Sequence, residues 1–182
     1  MSRLMSIRRL ALIAVALAAI VGRPAAGATT AELVRCQKAM HSRATTFVKL
    51  LQTALTNCTY RVESCQLAQE IDGDDPTQCL VGATASCGAY SAKIPAYKAA
   101  AVAKATSACV GIALSELQPW LGGLGFAAAD PSCPVASTSD LVACAFTAAQ
   151  CAAERTVFAL DPRAADALGA AGIAGAHPCA AP

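Results

Sequence analysis

The sequence predicts an all-α protein in which a long antiparallel helical hairpin is stapled by nested disulfides and followed by a smaller, disulfide-linked C-terminal helical segment. Three observations lead to this fold class. The chain contains ten cysteines, it has no glycine or proline from Thr29 to Asp72, and its cysteine positions are symmetric about one turn. An even number of cysteines in an exported chain indicates a disulfide framework, and we expect every cysteine to be paired.

Residues 1–28 have the features of a secretory signal peptide. A basic start with three arginines precedes an apolar run from Leu10 to Val21, and Ala26-Gly27-Ala28 has the small residues of a cleavage site. We expect cleavage after Ala28 and a mature protein in the periplasm or outside the cell; an uncleaved anchor is the alternative. The apolar run is shorter than the roughly 20 residues of a membrane span. No transmembrane span is therefore expected after cleavage.

Removal of the signal peptide changes the charge of the protein. The full sequence has a formal net charge of +2. Cleavage removes four arginines and no acid, which leaves a charge of −2. Because no run of lysine or arginine remains, the mature chain has no electrostatic basis for binding nucleic acid. We expect no nucleic-acid partner.

The first arm of the hairpin is predicted to be one long helix that ends at Asp72. A stretch of this length without glycine or proline favours an uninterrupted helix. Apolar residues and cysteines recur in it at helical spacing and share one narrow stripe: Leu33, Cys36, Met40, Phe47, Leu51, Ala54, Cys58, Val62 and Cys65. The cysteines are therefore expected to lie on the buried face.

Asp72-Gly73-Asp74-Asp75-Pro76 is predicted to be the turn of the hairpin, which as a whole covers residues 29–117. A chain that reverses there has three cysteine pairs facing one another, with position sums of 144, 145 and 145: Cys65 with Cys79, Cys58 with Cys87, and Cys36 with Cys109. Moreover, 21 residues lie between the two outer cysteines of each arm. Helices of that length span roughly 33 Å, so these pairs are predicted to form a ladder of disulfides.

The second arm is predicted to start after Pro76 and to run to about Leu117. Its own stripe matches that of the first arm: Cys87, Tyr90, Ile94, Tyr97, Ala101, Ala105, Cys109 and Ile112. Pro95 conflicts with a continuous helix, because proline removes a backbone hydrogen bond and clashes with the preceding turn. Either the helix kinks at Pro95, or it begins there and leaves Cys87 in an extended segment.

Residues 118–136 are rich in glycine and proline and are interpreted as a connector. Four large apolar residues in it are expected to pack onto the hairpin: Trp120, Leu121, Leu124 and Phe126. The C-terminal segment, residues 137–182, starts with several N-cap candidates in Ser137–Asp140. It is predicted to contain a helix through about Leu160 and a short helix from Arg163 to Leu168 or Ala171.

The pairing of the last four cysteines is left open by the sequence. Cys144 and Cys179 are placed symmetrically about Asp161-Pro162, which would leave Cys133 to pair with Cys151. We favour that interpretation. The alternative pairs Cys133 with Cys144 and Cys151 with Cys179, and it is almost as plausible sterically.

The segment from Glu32 to Ala39 reads ELVRCQKA and is followed by Phe47-Val48-Lys49 and Cys58. It resembles the opening of a loose group of exported, alanine-rich, cysteine-rich bacterial helical proteins of unknown function. The resemblance covers mainly residues 32–109. It implies a helical, disulfide-linked fold and implies no activity, so it provides no functional residue. Pro95 and the few lysines of the second arm depart from the pattern of that group.

Neither a metal site nor a cofactor is predicted. The acidic turn at residues 72–75 contains clustered carboxylates of the kind that bind calcium, but Pro76 stands where an EF-hand would place its third ligand. The nearest cysteines in sequence are separated by six residues, which does not match the close pairs of zinc sites. We interpret the acidic segment as a turn only.

Catalysis is not predicted either. The mature chain has two histidines, His41 on a solvated helix face and His177 in the tail. The nucleophile, metalloprotease and phosphate-binding motifs are absent from the sequence. We expect no catalytic residue. An enzyme would require a cleft that joins His41 to an acid from elsewhere in the chain.

Two non-catalytic functions remain. The first is a protein-interaction or envelope-structural module, with a filled core and an exposed helical face for an unknown protein partner. The alternative is a carrier of a small apolar ligand such as a lipid. A core rich in alanine and poor in aromatic residues is expected to leave a gap between the hairpin and the C-terminal helices, with an apolar cavity of a few hundred Å³.

Overall fold

The computed structural model describes residues 27–118, 133, 135–173 and 179. The regular structure in these residues is entirely helical, which confirms the all-α prediction: α1 Thr30–Asp72, α2 Thr77–Ser91, α3 Ile94–Ala108, α4 Leu114–Leu117, α5 Thr138–Leu160 and α6 Ala164–Ala170. Within this described part, no helix combines the length and the apolarity that a membrane span requires. The predicted signal sequence up to Ala26, the apolar residues of the connector, and His177 lie outside the described residues.

Helix α1 forms the first arm as predicted, and both of its ends are capped. At its start, the Thr29 hydroxyl accepts a hydrogen bond from the Glu32 backbone N–H, while the Glu32 carboxylate accepts one from the Thr29 N–H. This reciprocal capping box satisfies two donors that a helix end leaves free. At its end, Gly73 adopts the left-handed conformation, with φ of 73°, and donates to the Gln69 carbonyl. That conformation strongly favours glycine and stops the helix.

The second arm consists of two helices, α2 and α3, that are separated at Ala92–Lys93. Both of these residues keep right-handed helical angles, so the arm kinks without reversing. Pro95 lies in the first turn of α3, where its missing N–H removes no helical hydrogen bond. Cys87 is helical and fully buried, so an extended segment at that position is not formed. The arm also ends earlier than predicted, at Ala108, and α4 is a separate short helix.

Three bridges join the two arms in the predicted order. Their Cα atoms are 4.7 Å apart in Cys36–Cys109, 5.1 Å apart in Cys58–Cys87 and 5.6 Å apart in Cys65–Cys79. All four cysteines of the first two bridges are buried. Because these bridges lie at opposite ends of the paired arms, α2 and α3 are held along one face of α1.

In the C-terminal segment the favoured pairing of cysteines is wrong. The structure joins Cys133 to Cys144 and Cys151 to Cys179. Cys133 lies just before α5, and a short return of the chain reaches Cys144 in the second turn of that helix. Cys151 lies about 10 Å farther along α5, where it is bridged to Cys179. The cysteines are therefore not paired symmetrically about Asp161-Pro162.

Helix α1 is the centre of the packing. It contacts α2, α3, α5 and α6, and α3 also contacts α5. The rings of Phe47 on α1 and Phe146 on α5 have centroids 6.1 Å apart. Many of the other core residues are small, among them Ala83, Ala105, Ala153, Ala164 and Ala167. Small side chains bury little apolar area each but allow the helices to approach closely.

A buried polar chain ties the C-terminal segment to the hairpin. Glu154 on α5 is fully buried. Its carboxylate accepts hydrogen bonds from the Gln150 side chain, at 2.8 Å, and from the Cys179 backbone N–H, at 3.1 Å. Lys98 of α3 donates in turn to the Gln150 amide oxygen, at 3.0 Å. Burial lowers the pKa of Lys98, and the nearby charge of Glu154 opposes that effect.

Removal of the outer bridge is expected to destabilise the protein more than removal of the inner one. With Cys58–Cys87 intact, Cys36–Cys109 closes 44 residues of chain, the difference between separations of 73 and 29, whereas Cys65–Cys79 closes 14. Chain entropy then predicts losses of about 4 kcal/mol for Cys36→Ala/Cys109→Ala and about 3 kcal/mol for Cys65→Ala/Cys79→Ala. Equilibrium unfolding in urea measures both values. The reverse order would contradict an effect of loop size.

Candidate functional site

An apolar groove of about 280 Å³ lies between the middle of α1 and the kink of the second arm. We call it the tyrosine groove and define it by six residues that line it: Leu50, Leu51, Ala54, Tyr90, Ile94 and Tyr97. Leu51 and Ile94 are buried and form its floor, whereas Leu50, Tyr90 and Tyr97 are 45%, 37% and 46% exposed. The groove is therefore open to solvent along one side and closed by the core on the other.

The kink produces this groove. Tyr90 lies near the end of α2 and Tyr97 near the start of α3, on either side of the break at Ala92–Lys93. The Cys58–Cys87 and Cys36–Cys109 bridges hold the arms together on either side of this region. The lining residues on α1 extend from Thr46 to Asn57, which corresponds to about 16 Å along the helix axis. The groove is thus a gap between two covalent cross-links.

The C-terminal segment packs beside the groove. Gly172 follows α6 with φ of 69°, and the N–H of Ile173 donates to the Leu168 carbonyl at 3.0 Å. This is the Schellman arrangement, in which a left-handed glycine ends a helix. It directs Ile173 against the hairpin, where Ile173, Ala54 and Tyr90 are among the residues that line a small cleft of about 10 Å³ next to the groove.

A second, more open cleft of about 270 Å³ lies between α1 and α5, the place where the sequence analysis expected an apolar cavity. It is lined by Gln37, Met40, His41, Ala44, Ala145 and Phe146. His41 is exposed at its edge. None of these described lining residues is an acid, so this cleft does not join His41 to a carboxylate.

The acidic turn has a structural role in the described residues. The Asp75 carboxylate accepts hydrogen bonds from the Thr77 hydroxyl, at 2.6 Å, and from the Thr77 backbone N–H, at 2.9 Å. These bonds lower the pKa of Asp75 and support the start of α2. Across the described part of the chain, no three side chains of His, Cys, Asp or Glu are grouped so that they could hold a metal ion.

Two carboxyl groups face each other where α1 meets the end of α5. Burial and the neighbouring Asp161 raise the pKa of Glu63, and the positive charge of Arg163 partly offsets this. One Glu63 oxygen is buried and has no hydrogen-bond partner among the described residues. Arg163 itself is paired with Glu70 at 2.8 Å. This cluster is a contact between α1 and the C-terminal segment, and none of its residues lines the tyrosine groove.

The helical spacing predicted that Tyr90, Ile94 and Tyr97 lie on one buried stripe. In the structure, only Ile94 of these three is buried. The pattern missed the groove because helical spacing assigns a face and does not show whether a neighbour covers it. Leu50, an apolar residue beside the predicted stripe of α1, and Pro95, which marks the kink, were the two available indications.

No protein-family model, curated protein or solved structure matches this chain. The functional interpretation therefore depends on the geometry of the chain itself.

Glu63→Gln is expected to leave the free energy of unfolding unchanged in acid and to increase it at neutral pH. The increase is expected to be no more than about 1 kcal/mol, because the pair of Glu63 and Asp161 is partly solvated. A raised pKa in the folded state means that protonated Glu63 favours folding at low pH. That contribution is lost as the pH rises through the raised pKa, and glutamine does not lose it. Urea unfolding from acidic to neutral pH measures the difference.

Asp74→Asn is the control, because Asp74 is an exposed acid of the turn. If both substitutions gave the same pH dependence, the proximity of Glu63 and Asp161 would not be the cause.

Proposed function

We propose that this protein is an exported, non-catalytic binding module that holds a small apolar ligand in the tyrosine groove. The observation that supports this proposal best is the groove itself: about 280 Å³, an apolar floor, and two half-exposed tyrosines. Ligand sites are typically concave, largely apolar and about 300–1,000 Å³ in volume. The tyrosine groove lies at the small end of this range and suits a ligand with a single narrow apolar part.

The cross-links favour a site that is formed before the ligand arrives. Both arms are fixed on either side of the groove by bridges with Cα separations of 4.7 and 5.1 Å. A preformed site avoids the cost of ordering its walls when a ligand binds. We therefore propose that binding changes the fold little.

Export is the proposed context. The five disulfides of the structure are typical of proteins in oxidising compartments. Together with the signal peptide that the sequence predicts, they favour a periplasmic or extracellular protein.

Ala54→Phe is expected to weaken ligand binding about tenfold or more, because an added ring would occupy the groove between Leu50 and Tyr90. Fluorescence of the neutral apolar dye N-phenylnaphthylamine measures the affinity. Thr56→Phe is the matched control, since Thr56 is exposed on the same helix and does not line the groove. Equal affinity in the two variants, or absence of dye binding to the unmodified protein, would contradict the proposal. Disulfide-intact protein with unchanged helical circular dichroism is required for each variant.

A protein-interaction or envelope-structural role is the second candidate, and the outer face of α1 favours it. Tyr60, Leu67 and Ile71 are 71%, 42% and 75% exposed. Their spacing places them along one line of the helix, on the side opposite the buried cysteines. Exposed apolar residues that follow one line are typical of contact surfaces.

Photo-crosslinking in the exporting cell tests this second role. Benzoylphenylalanine at Ile71 is expected to form adducts with a partner protein, whereas the same group at Ala148, an exposed position on α5, is expected to form few. Absence of adducts at Ile71, or the same adducts from both positions, would contradict a contact surface on α1.

A further inference from the structure

Two lysines lie at the tyrosine groove, one from each arm. Lys49 belongs to α1 and Lys93 to the kink, and both line the groove. No described carboxylate lines it. Lys98, the next lysine of the second arm, does not line the groove and donates to Thr147 and Gln150.

Neither lysine is neutralised by a residue that the structure describes. Within the described residues, the ammonium groups of Lys49 and Lys93 form no ion pair and no side-chain hydrogen bond. Both residues are exposed at the rim, above a floor that is apolar. The groove therefore has two positive charges at its mouth and hydrocarbon beneath them.

We infer that the groove selects a free amphiphile with one acyl chain and an anionic head group. This inference rests on the proposed binding function and specifies the ligand class. The apolar chain packs on Leu51, Ala54 and Ile94, and the head group lies between Lys49 and Lys93 at the rim. Charge complementarity at the rim, together with apolar burial beneath it, distinguishes this ligand from a neutral one.

The register of the hairpin places the two lysines close enough to share one head group. In each of the two bridges on either side of the groove, the two residue numbers sum to 145. The register is therefore the same before and after the kink: a residue of the second arm lies level with the α1 residue whose number, added to its own, gives 145. Lys93 is therefore level with residue 52, three residues from Lys49 along α1. This offset corresponds to about 4.5 Å along the axis, well within the reach of two flexible lysine side chains.

The two tyrosines lie on either side of this level, since the same register places Tyr90 level with residue 55 and Tyr97 level with residue 48. The phenol groups of Tyr90 and Tyr97 are half-exposed, and neither hydroxyl has a hydrogen-bond partner among the described residues. Phenol hydroxyls can donate to an anionic head, while the rings cover the chain. Lysine is a compact charge without the planar fork of arginine. The site is therefore expected to accept a carboxylate or a phosphate monoester alike.

The size of the groove restricts the ligand to one chain. A volume of about 280 Å³ is at the lower limit for small-molecule sites. A lipid with two acyl chains would need a second channel, and the lining residues of the groove provide one only.

Competition with bound N-phenylnaphthylamine tests the ligand class, with dodecanoate, dodecyl phosphate, dodecanol and dodecylamine as probes below their micelle concentrations. We expect dodecanoate and dodecyl phosphate to displace the dye at concentrations about tenfold lower than dodecanol. Dodecylamine is expected to be weakest. Lys49→Gln/Lys93→Gln should remove the advantage of the anionic probes over dodecanol. Lys38→Gln/Lys104→Gln removes two exposed lysines that do not line the groove. This control should change neither the advantage of the anionic probes nor the affinity for dodecanol.

The possible results separate this inference from the function on which it rests. If dodecanol competes as well as dodecanoate, the anionic class is wrong and the apolar groove remains. If the dye itself does not bind, or binds Ala54→Phe equally well, the proposed function fails. Binding to phosphatidylglycerol vesicles without displacement of the dye would indicate a membrane surface as the target and would overturn the inference of a free amphiphile.

Discussion

The covalent clamp between α1 and the second arm is the constraint on which the rest of the structure depends. Cys36–Cys109 and Cys58–Cys87 hold the backbones of the two arms at Cα separations of 4.7 and 5.1 Å. Because each bridge is buried and both occur in the same register, they determine which face of α2 and α3 meets α1. The kink at Ala92–Lys93 is tolerated because the bridges restore contact on both sides of it. The groove exists because the kink lies between them.

A clamp of this kind compensates for the composition of the core. Many buried positions are alanine or cysteine, which bury less area than leucine or phenylalanine and therefore contribute less to stability. The aromatic contact between Phe47 and Phe146 and the polar chain through Glu154 attach the C-terminal segment to the hairpin. Buried polar groups of this type are stabilising only when they are paired. The two carboxylate oxygens of Glu154 accept hydrogen bonds from the Gln150 amide and from the Cys179 backbone N–H. The amide oxygen of Gln150 accepts one from Lys98.

The proposed site lies where the regular pattern of the hairpin is interrupted. Elsewhere along the hairpin, side chains from the two arms meet in the core. At the kink, Tyr90 and Tyr97 lie on either side of a gap and do not fill it. The gap combines a fixed shape with an apolar floor and two lysines at its rim. These properties are those of a small binding site. The outer face of α1, with Tyr60 and Ile71, provides a separate surface that a protein partner could cover, so the two proposed roles use different parts of the molecule.

The sequence by itself determined the helical fold class, the turn at Asp72–Pro76 and the three bridges of the hairpin. These features are encoded locally: the capping residues, the left-handed glycine and the equal spacing of cysteines on two stripes leave one consistent hairpin. The sequence also indicated a break near Pro95, although it left open where the helix would start.

Only the tertiary structure decided the C-terminal pairing and the candidate site. Cys144 pairs with Cys133, which precedes α5. The spacing of cysteines along one helix does not show where a cysteine outside that helix lies. In the same way, helical periodicity assigned Tyr90 and Tyr97 to a buried face, but burial depends on what packs against that face. The floor and rim of the groove come from two arms of the chain, and Lys49 and Lys93, for example, are 44 residues apart in sequence. Their proximity follows from the register that the bridges impose, and the gap between them follows from the kink.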